Sequence, residues 1–111
     1  MSSFVFSQEN KNTTISKAVI DNFQKNEYSK IVETFDQTMK AALPADKLKL
    51  LWDDLNSKCG KFQNYSEITE EKIQVYDVRY VLCHFANMNL KMKLVFNDKG
   101  EIAGMFFVPE K

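Results

Sequence analysis

The hydrophobic period of the chain changes once, at Gly60, and this confines the fold to helices followed by a sheet. Before Gly60 apolar residues recur three and four positions apart. After it they alternate with polar ones.

Three helices are expected in the first half. Ile15, Ala18, Val19 and Phe23 form one stripe over Ile15 to Asn26, with Thr13 or Thr14 placed to cap its start. Tyr28, Ile31, Val32, Phe35, Met39, Ala42 and Leu43 keep the helical period from Tyr28 to Leu43, where Pro44 ends it. Leu48, Leu51, Trp52, Leu55 and Cys59 mark a third helix from Ala45 to Cys59. Asp46 suits the positive end of its dipole, and Gly60 suits a left-handed stop.

Four antiparallel strands are expected in the second half, over Phe62 to Ile73, Asp77 to Phe85, Leu90 to Phe96 and Ile102 to Val108. Asn97-Asp98-Lys99-Gly100 fits a type I turn with a glycine bulge, setting Phe96 opposite Ile102. Asn87-Met88 fits a two-residue turn, setting Phe85 opposite Leu90. One face then carries Val81, Cys83, Phe85, Leu90, Met92, Leu94, Phe96, Ile102, Gly104, Phe106 and Val108, and is expected to cover the helices. The other carries Tyr80, Leu82, His84, Lys91, Lys93, Val95, Ala103, Met105 and Phe107. That mixture is too apolar for a fully solvated surface. Tyr80, Leu82, Val95, Met105 and Phe107 are therefore the expected interface, for a homodimer through the sheets or for docking to another domain.

At 111 residues the chain suits one domain. Residues 13–111 are assigned to it, with residues 1–12 as a flexible N-terminus. Within these, Ser2 to Gln8 reads either as the tail of an export signal, with Val5 and Ser7 at the −3 and −1 positions of a cleavage site, or as an ordinary loose terminus. Fifteen basic and fifteen acidic side chains cancel, which disfavours nucleic acid as a partner. No apolar run approaches the ~20 residues of a membrane span. Cys59 and Cys83 are too few for a disulfide scaffold and fall in different elements, so bonded and free states both stay open. Two glycan-acceptor patterns, Asn12-Thr13-Thr14 and Asn64-Tyr65-Ser66, are short enough to arise by chance.

The order and spacing of several short segments resembles a bacterial domain of unknown function, number 3887. Those segments include Asn26-Glu27-Tyr28, Phe35-Asp36, Leu43-Pro44-Ala45-Asp46-Lys47-Leu48, Trp52 and Gly60-Lys61-Phe62. They continue through Cys83-His84-Phe85, Leu90-Lys91-Met92, Val95-Phe96-Asn97-Asp98-Lys99-Gly100 and Ile102-Ala103-Gly104. The resemblance implies an α+β cone of the nuclear-transport-factor-2-like, cystatin-like kind, with three helices on a curved four-stranded sheet. It also implies an accessory module of an exported, periplasmic or secreted bacterial protein, sometimes next to a hydrolase domain.

Catalytic groups are scarce. His84 is the single histidine, no Gly-x-Ser-x-Gly elbow occurs, and Cys83 and His84 point to opposite sheet faces as strand neighbours. Glu67, Glu70 and Glu71 read as a solvated hairpin rather than a metal site, and no phosphate loop or cofactor motif is present. A cone-cavity isomerase or dehydratase needs a buried acid or base, and the expected inner strand face has none. Arg79 is the odd inner residue. It either anchors a carboxylate at the mouth of the cone or pairs with a nearby acid such as Glu67 or Asp77. Phe35, Trp52, Arg79 and Phe106 are the pocket candidates for a small apolar ligand, with core packing as the other role for Trp52. The function expected is a non-catalytic accessory or binding module. A cavity enzyme and a substrate-presenting domain for a separate hydrolase are the alternatives.

Overall fold

The structure, a computed structural model, describes residues 7–110 and the side chains of residues 11–110. Four helices precede four strands: α1 (Ser7–Gln24), α2 (Tyr28–Val32), α3 (Gln37–Ala42), α4 (Ala45–Cys59), β1 (Phe62–Ile73), β2 (Tyr76–Phe85), β3 (Asn89–Phe96) and β4 (Ile102–Pro109). The strands form one antiparallel sheet in chain order. The expected α+β class and four-stranded antiparallel sheet hold. No helix of the described residues is long and apolar enough to cross a membrane.

Two helix expectations need correction. Helix α1 starts at Ser7, well before Ile15, so residues 7–12 are helical. The apolar stripe missed its first turns because Asn12, buried there, is polar. The export-signal reading of Ser2 to Gln8 lies outside the described residues except at Ser7 and Gln8. The expected helix from Tyr28 to Leu43 is broken between Glu33 and Asp36. There Thr34 Oγ1 donates to the Ile31 carbonyl at 2.6 Å. The Ile102 N–H donates to the Thr34 carbonyl at 2.8 Å, and the Asp36 N–H to the Ile102 carbonyl at 2.9 Å. Phe35 thereby forms a parallel bridge with Ile102. The Asp36 carboxylate accepts from the Met39 N–H at 2.8 Å and caps α3. Apolar spacing runs unbroken through this step because Phe35 stays buried on either side of it.

Two turns decide which side chains face the helices. Between β2 and β3 the turn is Ala86-Asn87, because His84 pairs with Asn89 and the Phe85 N–H donates to Met88. The N–H groups of Ala86 and Asn87 donate to Lys61 and Cys59, each at 2.9 Å, which pins the turn to the end of α4. Leu90 therefore faces Cys83 instead of Phe85. A slip of two residues keeps parity, so the faces of β2 and β3 are as expected. Gly60, at φ +87°, sits in this joint. A Cβ there would lie 2.8 Å from the Ala86 Cβ and 2.9 Å from the Asn87 nitrogen.

In β4 parity is reversed. Phe96 pairs with Ile102 as expected, yet Val95 pairs with Gly104, so Ala103 is an extra, bulged residue. Beyond it Met105 and Phe107 face the helices, while Gly104, Phe106 and Val108 face out. This corrects the expected outward Met105 and Phe107 and the expected inward Phe106.

The inner face, with Val81, Cys83, Met92, Leu94 and Phe96, packs on Val19, Ile20, Phe23, Ile31 and Leu48 of the helices. Phe23 stacks on Trp52 with ring centres 4.5 Å apart, and Phe107 meets Phe23 edge-on at 6.1 Å.

Candidate functional site

Two polar clusters lie on opposite faces of the sheet, and a mixed apolar and basic surface spreads beside the outer one. The inner cluster begins with Arg79, which β2 points at α1 and which is only 1 % exposed. Its Nη1 donates to Asp77 Oδ1 and lies 3.2 Å from Glu70 Oε1; its Nε donates to Thr13 Oγ1 at 3.1 Å. Asn12 Nδ2 donates to the second Asp77 oxygen at 2.7 Å, and Ser16 Oγ donates to the Asn12 carbonyl at 2.8 Å. Asn12 Oδ1 is buried without a hydrogen-bond partner. Of the two roles open to Arg79, pairing with a nearby acid is what the structure has, through Asp77 and Glu70 instead of Glu67. Asp77 is an inward carboxylate that the expected inner list did not include, although the expected strand began at it and it shares the parity of Arg79. It is closed off by Asn12 and held by a guanidinium, an arrangement that fixes a helix to a strand.

On the outer face a hydrogen-bonded chain crosses the sheet. Ser66 Oγ lies 2.8 Å from His84 Nε2, His84 Nδ1 lies 2.9 Å from Asn89 Oδ1, and Asn89 Nδ2 donates to Glu110 Oε1 at 3.0 Å. Because Asn89 gives its N–H to a carboxylate, its oxygen faces the imidazole. In the neutral ring Nδ1 then carries the hydrogen and Nε2 accepts from the serine. Hydroxyl, imidazole and amide stand in the order of a nucleophilic triad. Ser66 reaches His84 from a bulge in β1, between Tyr65 and Ile68, that pairing rules could not supply from sequence.

Beside this chain lie Tyr80, Leu82, Val95 and Phe106 with Lys91 and Lys93. Phe106 is 52 % exposed. Its ring folds back over Gly104, where a Cβ would come 3.1 Å from it. The Lys91 and Lys93 ammonium groups each lie 5.8 Å from a ring centre, of Tyr80 and Phe106 respectively. The Tyr80 hydroxyl donates to Glu71 at 2.9 Å, and this bond, with some burial, raises its pKa. Of the five expected interface residues, Tyr80, Leu82 and Val95 share this face and Met105 and Phe107 do not.

The four expected pocket residues do not gather. Phe35 and Trp52 are core, Arg79 is in the inner cluster, and Phe106 is on the far face. Trp52 also reaches a shallow groove of about 240 Å³ beside Asn56, Lys61 and Phe62. A second groove of about 450 Å³ runs between the starts of α2 and α4, past Tyr28, Ser29, Lys30, Asp46 and Lys49. Both cysteines are free and buried. Burial pushes the Cys83 thiol up to about 12, and its S–H points at the Val81 carbonyl at 3.4 Å. Among the described residues no three His, Cys, Asp or Glu side chains gather as metal ligands.

No curated protein and no solved structure matches the chain. The span from Ser16 to Met105 takes in the second half of α1, every later helix, the first three strands and the start of β4. It matches the family described as Protein of unknown function (DUF3887), and the chain belongs to that family.

Proposed function

We propose that this domain is a non-catalytic binding module of an exported protein, built as a nuclear-transport-factor-2-like cone, that docks a partner protein on the outer face of its sheet. The observation that carries the reading is the outward turn of Phe106 beside Tyr80 and Val95. A half-exposed phenyl ring on the outer side of the edge strand β4, folded toward the sheet, is the kind of anchor that interfaces use. Lys91 and Lys93 place their ammonium groups over the rings of Tyr80 and Phe106, while Glu71 is engaged by Tyr80. The partner surface that fits is apolar at its centre and carboxylate-bearing at its rim.

The cavity-enzyme alternative is less well supported. The inward acid Asp77 is occupied by Arg79 and covered by Asn12, and the would-be pocket residues Phe35 and Trp52 pack within the core. The same packing gives no support to a small apolar ligand between helices and sheet.

A photo-crosslinking side chain placed at Tyr80 or Val95, in the protein as its source cell makes it, tests the reading. An adduct of one defined partner is expected from both sites and none from Leu50, an exposed residue on α4. Equal adducts from all three sites, or none from any, would refute the outer face as the docking surface.

A further inference from the structure

The two edges of the sheet are protected to very different degrees. The β1 edge carries Glu67, Glu70, Glu71 and Lys72 and two register irregularities, the devices that keep an edge strand from pairing. From Ala103 to Val108, β4 has no charged residue. Pro109 pairs with Leu90, and proline has no N–H to give, so this pair is of the non-hydrogen-bonded kind. Pairs alternate along an antiparallel ladder. Lys91 with Val108 and Lys93 with Phe106 are then hydrogen-bonded, and the N–H and C=O groups of Met105 and Phe107 point off the sheet. At the other end of β4 the N–H and C=O of Ile102 also point off the sheet, where Thr34 and Asp36 take them up. Among the described residues no other main-chain group bonds this edge of β4.

We propose that the open edge of β4 pairs antiparallel with β4 of a second copy of this chain. A two-fold axis beside Phe106 sets Met105 against Phe107 of the second copy and the reverse, closing four main-chain hydrogen bonds with the groups that now point outward. Phe106 then faces its own counterpart in a non-hydrogen-bonded pair, the closer of the two pair types, and both half-exposed rings lie on the outer face. A second copy fits this edge better than a charged partner strand does. The segment is uncharged and apolar, and its own sequence supplies a strand of the same length and chemistry. The two sheets join into one, so the docking faces of the two copies lie side by side. The inference stands apart from the docking proposal, because a partner on the face does not touch the Met105 and Phe107 amides.

Hydrogen exchange at these two amides, with light scattering on the full chain over a range of concentrations, tests it. Exchange at Met105 and Phe107 is expected to slow as concentration rises, together with a mass twice 12.9 kDa. Phe106→Lys sets like charges across the axis, and is expected to weaken the dimer about tenfold or more while leaving the circular dichroism unchanged. Three results overturn the proposal. One is a monomer at every concentration with both amides exchanging fast, which assigns the edge to a strand of some other protein or to none. Another is a dimer in which both amides still exchange fast, as face-to-face packing requires. The third is slow exchange of both in the dilute monomer, which means the chain covers its own edge.

Discussion

The inner and outer faces of the sheet each carry a polar chain that spans several elements, and the two differ in what surrounds them. Arg79 and Asn12 are buried between α1 and β2 with Asp77 largely covered beside them, where water has less room to replace a lost partner. Ser66, His84, Asn89 and Glu110 make hydrogen bonds of similar length at the surface, where water can. Comparable geometry therefore carries very different energy. The inner chain locks the N-terminal helix to the sheet, and the outer one mainly orders side chains.

Four measurements would break or sharpen that contrast. Asp77→Ala removes the acid that Arg79 and Asn12 share while Glu70 and Thr13 stay within reach of the guanidinium, and should cost about 3 kcal/mol in denaturant unfolding. A loss within the error of wild type would mean the inner cluster is not closed. Phe107→Ala should cost about 2–3 kcal/mol through lost contacts with Phe23 and Trp52, against less than about 1 for Phe106→Ala. The reverse order would return Phe106 to the core and discard the bulge.

The third measurement uses alkali. Cys83 ionises near 12 when folded and near 9 in its ordinary state, so above pH 9 the unfolded chain loses the proton first. Stability from this group is whole below pH 9 and is lost as pH rises toward about 12, at up to about 1.4 kcal/mol per pH unit. The same burial should keep the native thiol inert to alkylation at pH 8. Cys83→Ala should flatten the alkaline slope; an unchanged slope would move its origin elsewhere. The smallest effect belongs to the outer chain. Ser66→Ala and His84→Ala should each change stability by less than about 1 kcal/mol at neutral pH.

Much of this could be read from the residues themselves. The alternation of Leu90 to Phe96 gave β3 its faces, and Asn97 to Gly100 gave the turn that sets Phe96 against Ile102. The inner strand faces survived a misplaced β2–β3 turn because the error was an even number of residues. What escaped was local and unperiodic. Ala103 looks like any strand residue, so nothing before Phe106 announces that the pattern flips. The break at Thr34 to Asp36 hides inside a helical period, although Asp36 three residues before Met39 is a legible cap. The inner cluster was half visible. Arg79 stood out as a charge on an apolar face, but Asn12 lies sixty-five positions from Asp77 and Thr13 sixty-six from Arg79, and neither carries a pattern that links it to the strand.

The single surplus residue at Ala103 also affects how relatives should be compared. A member of the family lacking one residue here would present the same composition in its last strand with inside and outside exchanged. Position-by-position alignment would then equate a buried ring with an exposed one. Comparisons of the final strand should be anchored at Pro109 and counted backward, so that the gap falls at the bulge and each aromatic is matched to the side of the sheet it occupies.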